Sequence, residues 1–409
     1  VSGVSINGAA QVLRPPEDGL PYLRHDRAAS LACEPGALLV RDGLIAGFES
    51  SSDASLQIDA SGCAVIPGFV DCHTHLPFAG WREREYAMKI AGESYEAISR
   101  AGGGIRSSAR ALAAASDEQV LAQSRALADE MLAHGTTAFE GKCGYGLSVE
   151  GELRSLRLGA ELGADRMTAL LAHVIPDGYD ADGWMEEVAR MLPRVVDAGE
   201  ATALDIYVER IAFSNENLRR MAELAAEYGL DLRAHVEQFH DNGSTAVAVE
   251  CGARSVDHLS CLSADGVAGL AESETAAVLL PGAEFIGAEH AAPGRALADR
   301  GAICVLATDL NPGTSPIASL PLIIGLAARR YGWSVREALL ASTLNAAWVL
   351  RLSEQTGSLE VGKRGDVLVL DGPIERIPYR FGHNPVTLVF VGGELVRVRP
   401  DCEWRVTGR

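Results

Sequence analysis

The chain has 409 residues, 47% of them apolar and 22% charged, the composition of a soluble globular protein with room for one large domain and a smaller one. Its net charge of −19 excludes a polyanion such as nucleic acid as partner and admits a small anion only beside a local cation. Eight scattered cysteines without a CxxC pair, an N-terminus (VSGVSINGAA) with no basic start, and apolar runs no longer than LPLIIGLAA (320–328) point to a reduced, cytoplasmic protein with no membrane span.

Residues 1–67 read as short strands and turns; in GALLVRDGLIAGF two apolar runs flank a DG turn, the signal of a hairpin. From Gly68 the pattern becomes short apolar runs alternating with Ala/Leu/Glu/Arg-rich helical stretches. Eight strands are expected, at 67–73, 136–142, 167–174, 203–209, 232–237, 255–259, 276–282 and 304–309. Segments such as DEQVLAQSRALADEMLAHG and NENLRRMAELAAEYG carry apolar residues at helical spacing between them. That alternation predicts an α/β fold, a (β/α)8 TIM barrel over 68–352, whose long segment 76–135 is a functional loop region. Strand patterns return after Leu352 (GSLEVGKRGDVLVLDGP, LVFVGGELVRV), so 1–67 and 353–409 are expected to pair into a small composite β domain.

The strand ends carry the chemistry. Strand one closes on His73 and His75, the fifth and sixth on His235 and His258, and the eighth on Asp309, all at the barrel's C-terminal face. Three neutral imidazoles and a carboxylate form an N3O set suited to Zn2+ or Fe2+ with a position open for water, whose pKa such a metal lowers to about 7. The expected ligands are His73, His75, His235 and Asp309; Asp309 also takes the water's proton, and His258 orients the water or polarises the attacked carbonyl. Arg82, beyond a Gly-containing turn, offers a bidentate fork to a carboxylate, while Arg84 reads as solvated. Tyr145 in CGYGL offers a hydroxyl, His173 closes strand three, and DLNPGTS presents Asn311, the Gly313 backbone and Ser315 for polar contacts with a substrate. Lys142 is expected to pair inside the barrel with Glu140 or Glu209, Cys72 and Cys143 to pack, and His240 and His290 to lie on surface loops.

VIPGFVDCHTHL and GSLEVGKRGDVLVLD at the two ends, with HTHLPFAGWREREY, AGGGI, TTAFEGKCGYGL, AHVIPDGY, HVEQF, VDHL, AVLLPGA and ATDLNPGTSP between, resemble the amidohydrolase superfamily. The likeness is closest to its members that open the ring of 4-imidazolone-5-propionate to N-formimino-L-glutamate in histidine breakdown. It implies a metal-bearing barrel with a composite β-sandwich, a homodimer, and Arg82 and Tyr145 on the propionate. Strand four (ALDIYVE) lacks the bridging lysine of two-metal members, which favours one metal per chain. Deaminases of the superfamily place a proton-shuttling glutamate three residues after the strand-five histidine. Here that place is Gln238, which hydrogen-bonds a ring amide but moves no proton, and Glu237 alternates away. Trp81, Cys143 and Glu284–Gly287 depart from the pattern and leave room for a different imidazolone- or hydantoin-type acid. A non-catalytic scaffold would not need Asp309 beside an open metal position.

Overall fold

A computed structural model describes residues 3–287 and 290–408. Packing divides the chain into two compact units: Val1–Cys72 with Asp129–Ala138 and Ser319–Arg409, and His73–Ala128 with Phe139–Ala318.

In the first unit the terminal segments share one nine-stranded sheet. The strand Val367–Leu370 pairs antiparallel with Ala64–Pro67, and Val406–Thr407 with Leu56–Asp59, which joins the two chain ends as expected. The hairpin forms between Ala32–Arg41 and Leu44–Gly47; Asp42 and Gly43 both take positive φ (49° and 83°), the turn whose twist matches the strands it joins. The segment after Ser319 clusters with this unit, as do Asp129–Ala138 and the strand Phe69–Asp71, whose Val70 N donates to Ser342 O at 2.9 Å. Helix Val335–Ala341 lies against the short helix His25–Ser30, and helix Leu320–Tyr331 against Arg376–Tyr379. Helical periodicity shows that a helix buries a face; it does not show which layer receives that face.

The second sheet is the barrel. Its eight strands are Phe69–Asp71, Thr136–Lys142, Arg166–Ala172, Ala201–Val208, Asp231–Val236, Ser255–His258, Ala276–Leu279 and Cys304–Leu306, neighbours in chain order. Their apolar runs are buried on both faces, as a parallel sheet covered by helices requires. The sheet closes where the segment after the first strand meets the segment after the eighth. Thr74 bridges Leu310 in parallel register, Asp309 N donates to His73 O (3.0 Å), and His75 N donates to Leu310 O (2.9 Å). The seventh strand stops short of the expected 282 because Pro281 opens a helix, Pro281–Gly287. Helix Asn215–Tyr228 has the expected span, with a Ser214–Asn217 capping box at one end and Gly229 in the left-handed conformation at the other.

Candidate metal centre and active site

The closing seam sets three of the five strand-end residues side by side. His75 Nε2 lies 3.2 Å and His73 Nε2 3.5 Å from Asp309 Oδ1. His73, His75 and His235 each offer a ligand atom within 4.8 Å of the others, and so do His73, His258 and Asp309. His258 and Asp309 hold φ of 83° and 55°, a conformation that costs a non-glycine residue about 1–3 kcal/mol and aims both side chains at the centre.

These residues fit a cation. His73 Nε2, His235 Nε2 and both Asp309 carboxylate oxygens are buried and make no hydrogen bond, an arrangement that costs about 1–3 kcal/mol per group unless something charged fills it. Burial, followed by the Lys142 and His235 charges, holds the His73 imidazole well below the ordinary histidine range; burial and His235 do the same to His75. Both rings are therefore neutral at pH 7 with lone pairs to give. Burial pushes the Asp309 carboxyl up, although His258 and His235 oppose it.

Beneath the centre runs a buried chain of ion pairs that starts and ends on its imidazoles. His73 Nδ1 meets Asp257 Oδ2 at 2.5 Å, and Asp257 takes Arg233 Nη2 at 2.8 Å. Arg233 Nη1 donates to Glu140, Glu140 pairs with Lys142 Nζ at 3.0 Å, Lys142 reaches Asp205 at 2.9 Å, and Asp205 Oδ1 meets His235 Nδ1 at 3.0 Å. The carboxylates fix both histidines with Nδ1–H inward, which turns their Nε2 lone pairs to the centre. With Asp309 this interior holds four carboxylates against two cations, an excess that a divalent ion would balance. Lys142 thus pairs with Glu140 as expected, but its second partner is Asp205. Glu209 instead accepts from Phe239 N (2.7 Å), His240 N (3.1 Å) and His240 Nδ1 (2.9 Å), which makes His240 a half-buried anchor and not a free surface histidine. Asp205, Arg233 and Asp257 escaped the sequence reading. Their signal was a charge in the middle of an apolar strand, which has to be paired to be buried.

On the open side, Arg82 stands at the N-cap of helix Glu83–Ile90, its amide bonded to Pro312 O at 2.9 Å. Its guanidinium is buried; Nε and Nη1 make no hydrogen bond, and the nearest carboxylate, Glu85, is 3.8 Å from Nη1. Gly313 lies flat against it: a Cβ there would stand 1.8 Å from Nη2. The Tyr145 turn is held by Glu152, another residue not singled out from sequence. This buried carboxylate accepts from Gly144 N and Leu147 N at 2.7 Å each. Burial and Glu152 push the Cys143 thiol well up, so Cys143 is an inert packing residue. His173 stacks on His75 (5.2 Å between centroids, 18° between planes) with Nδ1 3.1 Å from Gly144 O.

Arg82, Tyr145, His173, Gln238, His258 and Asp309 line one chamber of about 30 Å3. Asn311 also reaches its wall, but its amide is engaged within the loop, donating to Asp309 O (2.7 Å) and accepting from Gly313 N and Thr314 N (2.8 and 2.7 Å). Ser315 lies outside the lining and donates to Thr308 O at 2.6 Å. The Glu237 carboxylate caps helix Ser244–Glu250 through Ser244 N (2.6 Å) and Thr245 N (3.1 Å). Trp81 is 39% exposed and packs edge-on to Phe78, while Arg84 and His290 are exposed.

A barrel closed on a carboxylate and a histidine cluster of this kind is the architecture of a metal-dependent hydrolase, and a sequence profile described as the Amidohydrolase family matches residues 64–396. Solved structures share the fold at low identity. A triazine hydrolase variant superposes with TM-score 0.72 at 18% identity over 96% of this chain and 94% of its own. An adenosine deaminase from Xanthomonas campestris with bound zinc gives 0.67 at 19% over 98% and 94%. Curated relatives are nearer: the imidazolonepropionase of Rubrobacter xylanophilus is 41% identical over 93% of this chain and 95% of its own, and that of Deinococcus radiodurans 43% over 88% and 92%. The chain belongs to the amidohydrolase family and, within it, to the imidazolonepropionases.

Two predictions follow from the buried charges. Lys142→Met removes the cation shared by Glu140 and Asp205, leaving one with Arg233 and the other with His235, and is expected to cost about 3–5 kcal/mol in a urea unfolding titration; a loss under 1 kcal/mol would show the network to be dispensable. Burial depresses the His73, His75, His173 and His258 imidazoles, the last to about 3 with Asp309 opposing, so unfolding takes up protons once the pH falls below the ordinary histidine value of about 6.5. Chelator-treated protein should therefore lose stability as pH drops from 7 to 5, and a flat profile would contradict neutral buried histidines.

Proposed function

We propose that this chain hydrolyses the cyclic amide of 4-imidazolone-5-propionate to N-formimino-L-glutamate, with one Zn2+ or Fe2+ held by His73, His75, His235 and Asp309. The observation that carries this reading is a buried guanidinium, Arg82, sharing one small chamber with Asp309 and the histidines: an anion clamp beside a hydrolytic centre. The metal, when bound, supplies Lewis acidity that makes water nucleophilic at neutral pH. Arg82 and the Tyr145 hydroxyl hold the propionate and so fix the ring, and His173 backs it. Gln238 hydrogen-bonds the ring amide. Asp309 takes the proton of the attacking water and returns it to the ring nitrogen as the C–N bond breaks. His258, kept neutral by burial, polarises the carbonyl.

Asn311 and Ser315 support Gly313 and the loop in this reading and leave direct contact to the loop backbone. The neighbouring alternatives are judged on specific grounds. A deaminase lacks its shuttle, since Gln238 occupies the place and Glu237 is engaged as a helix cap. For a different ring substrate, Trp81 and Cys143 are not among the residues lining the chamber, whereas Glu284 and Gly287 line the space adjoining it. We assign catalysis to 68–352 and a supporting role to the β segments 1–67 and 353–409, in a cytoplasmic homodimer. No helix among the described residues is long and apolar enough to cross a membrane.

The decisive test is loss of the ultraviolet absorbance of freshly prepared 4-imidazolone-5-propionate, with metal content quantified. A kcat/KM of about 10^4 per molar per second or more is expected; no turnover by folded, metal-loaded protein would move the chemistry to another ring. Arg82→Met is expected to lower kcat/KM by about two to three orders, roughly 3–4 kcal/mol, and unimpaired turnover would remove Arg82 from the clamp.

A further inference from the structure

The chamber is narrow and half-open. Its roughly 30 Å3 holds two or three waters at about 10–15 Å3 of comparable volume each. Beyond it lie a throat of about 10 Å3 and then an open outer cavity of about 580 Å3. The three spaces are contiguous: Gln238 lines all of them, His258 and Thr314 line chamber and throat, and Lys89 and Gly287 line throat and outer cavity.

Lys89 follows Arg82 by two turns of helix Glu83–Ile90, so the two side chains leave the same face. Its stem crosses the opening to the helix Pro281–Gly287, where a Cβ on Gly287 would stand 2.6 Å from Nζ. Among the described residues lining throat and outer cavity it is the one lysine or arginine. Among the described residues the lining carboxylates are Glu93 on the outer wall and Glu284 in the throat, the latter buried and accepting from Ala292 N at 2.9 Å. Burial and then Arg82 lower the Lys89 ammonium to about 8, against Glu85 and Asp309, which leaves it charged at pH 7 and within the electrostatic reach of the chamber.

We propose that Lys89 is the capture residue for the substrate carboxylate. An anion in the outer cavity pairs with its ammonium, then passes through the throat to the Arg82 guanidinium. In a chain of net charge −19 the anion needs such a cation at the mouth, since the far field repels it. This rests on the reading of an anionic substrate given above.

The test separates capture from chemistry by titrating metal-loaded wild-type, Lys89→Met and Lys89→Arg proteins with imidazole-4-propionate, which carries the side chain without the scissile amide, and with its neutral propionamide. The acid should bind Lys89→Met at least tenfold more weakly than wild type, Lys89→Arg within about threefold of wild type, and the amide all three alike. Equal binding of the acid to wild type and Lys89→Met, equal losses for acid and amide, or no binding of the acid to wild type would each overturn the proposal. Wild-type turnover of the imidazolone, measured separately, decides the ring assignment, so failure of one reading is not mistaken for failure of the other.

Discussion

The site depends on the last hydrogen bonds of the barrel. Two residues from the start of the catalytic unit and one from near its end meet because the sheet closes there, and the closing bonds run through His73, His75 and Asp309 themselves. Closure and ligand geometry are one event. A shift of register at this seam would move the carboxylate off the imidazoles, so the fold cannot relax without dismantling the centre.

Charge balance is the second constraint. Stacking three carboxylates and two cations under a metal centre is expensive, because each ion leaves water. The arrangement holds because every charge has a partner across a strand and the ends of the chain of pairs are imidazoles. Those imidazoles in turn are oriented to serve the centre. The interior is thus polarised for an ion and not merely permissive of one. Burial, which on its own would neutralise these groups, is what makes the histidines good ligands.

Much of this was legible in the sequence. Strands buried on both faces read as uninterrupted apolar runs, so all eight were located, and the residues that cluster at the candidate metal centre stood out as polar residues closing apolar segments. What could not be read depends on register. Asp205, Arg233 and Asp257 pair between strands, partly across the barrel interior, and Lys142 was assigned to Glu140 or Glu209 because sequence does not say which residues lie at one height. Glu152 was missed because it acts on a turn one helix-start away, on backbone donors that carry no side-chain signature. Lys89 was invisible for a related reason: only the meeting of two helices from distant segments makes an opening for it to stand in.

The contact between Gly313 and Arg82 has a consequence for how such a site can change over generations. While the arginine is present, any side chain at 313 would occupy the volume of its guanidinium. Loss of the arginine lifts that restriction, and position 313 is then free to accept larger residues that fill the vacated space. Under the anion-clamp reading, a chain that replaced the arginine would relax the demand for glycine at 313, and a later return to arginine would have to displace whatever side chain had taken the space.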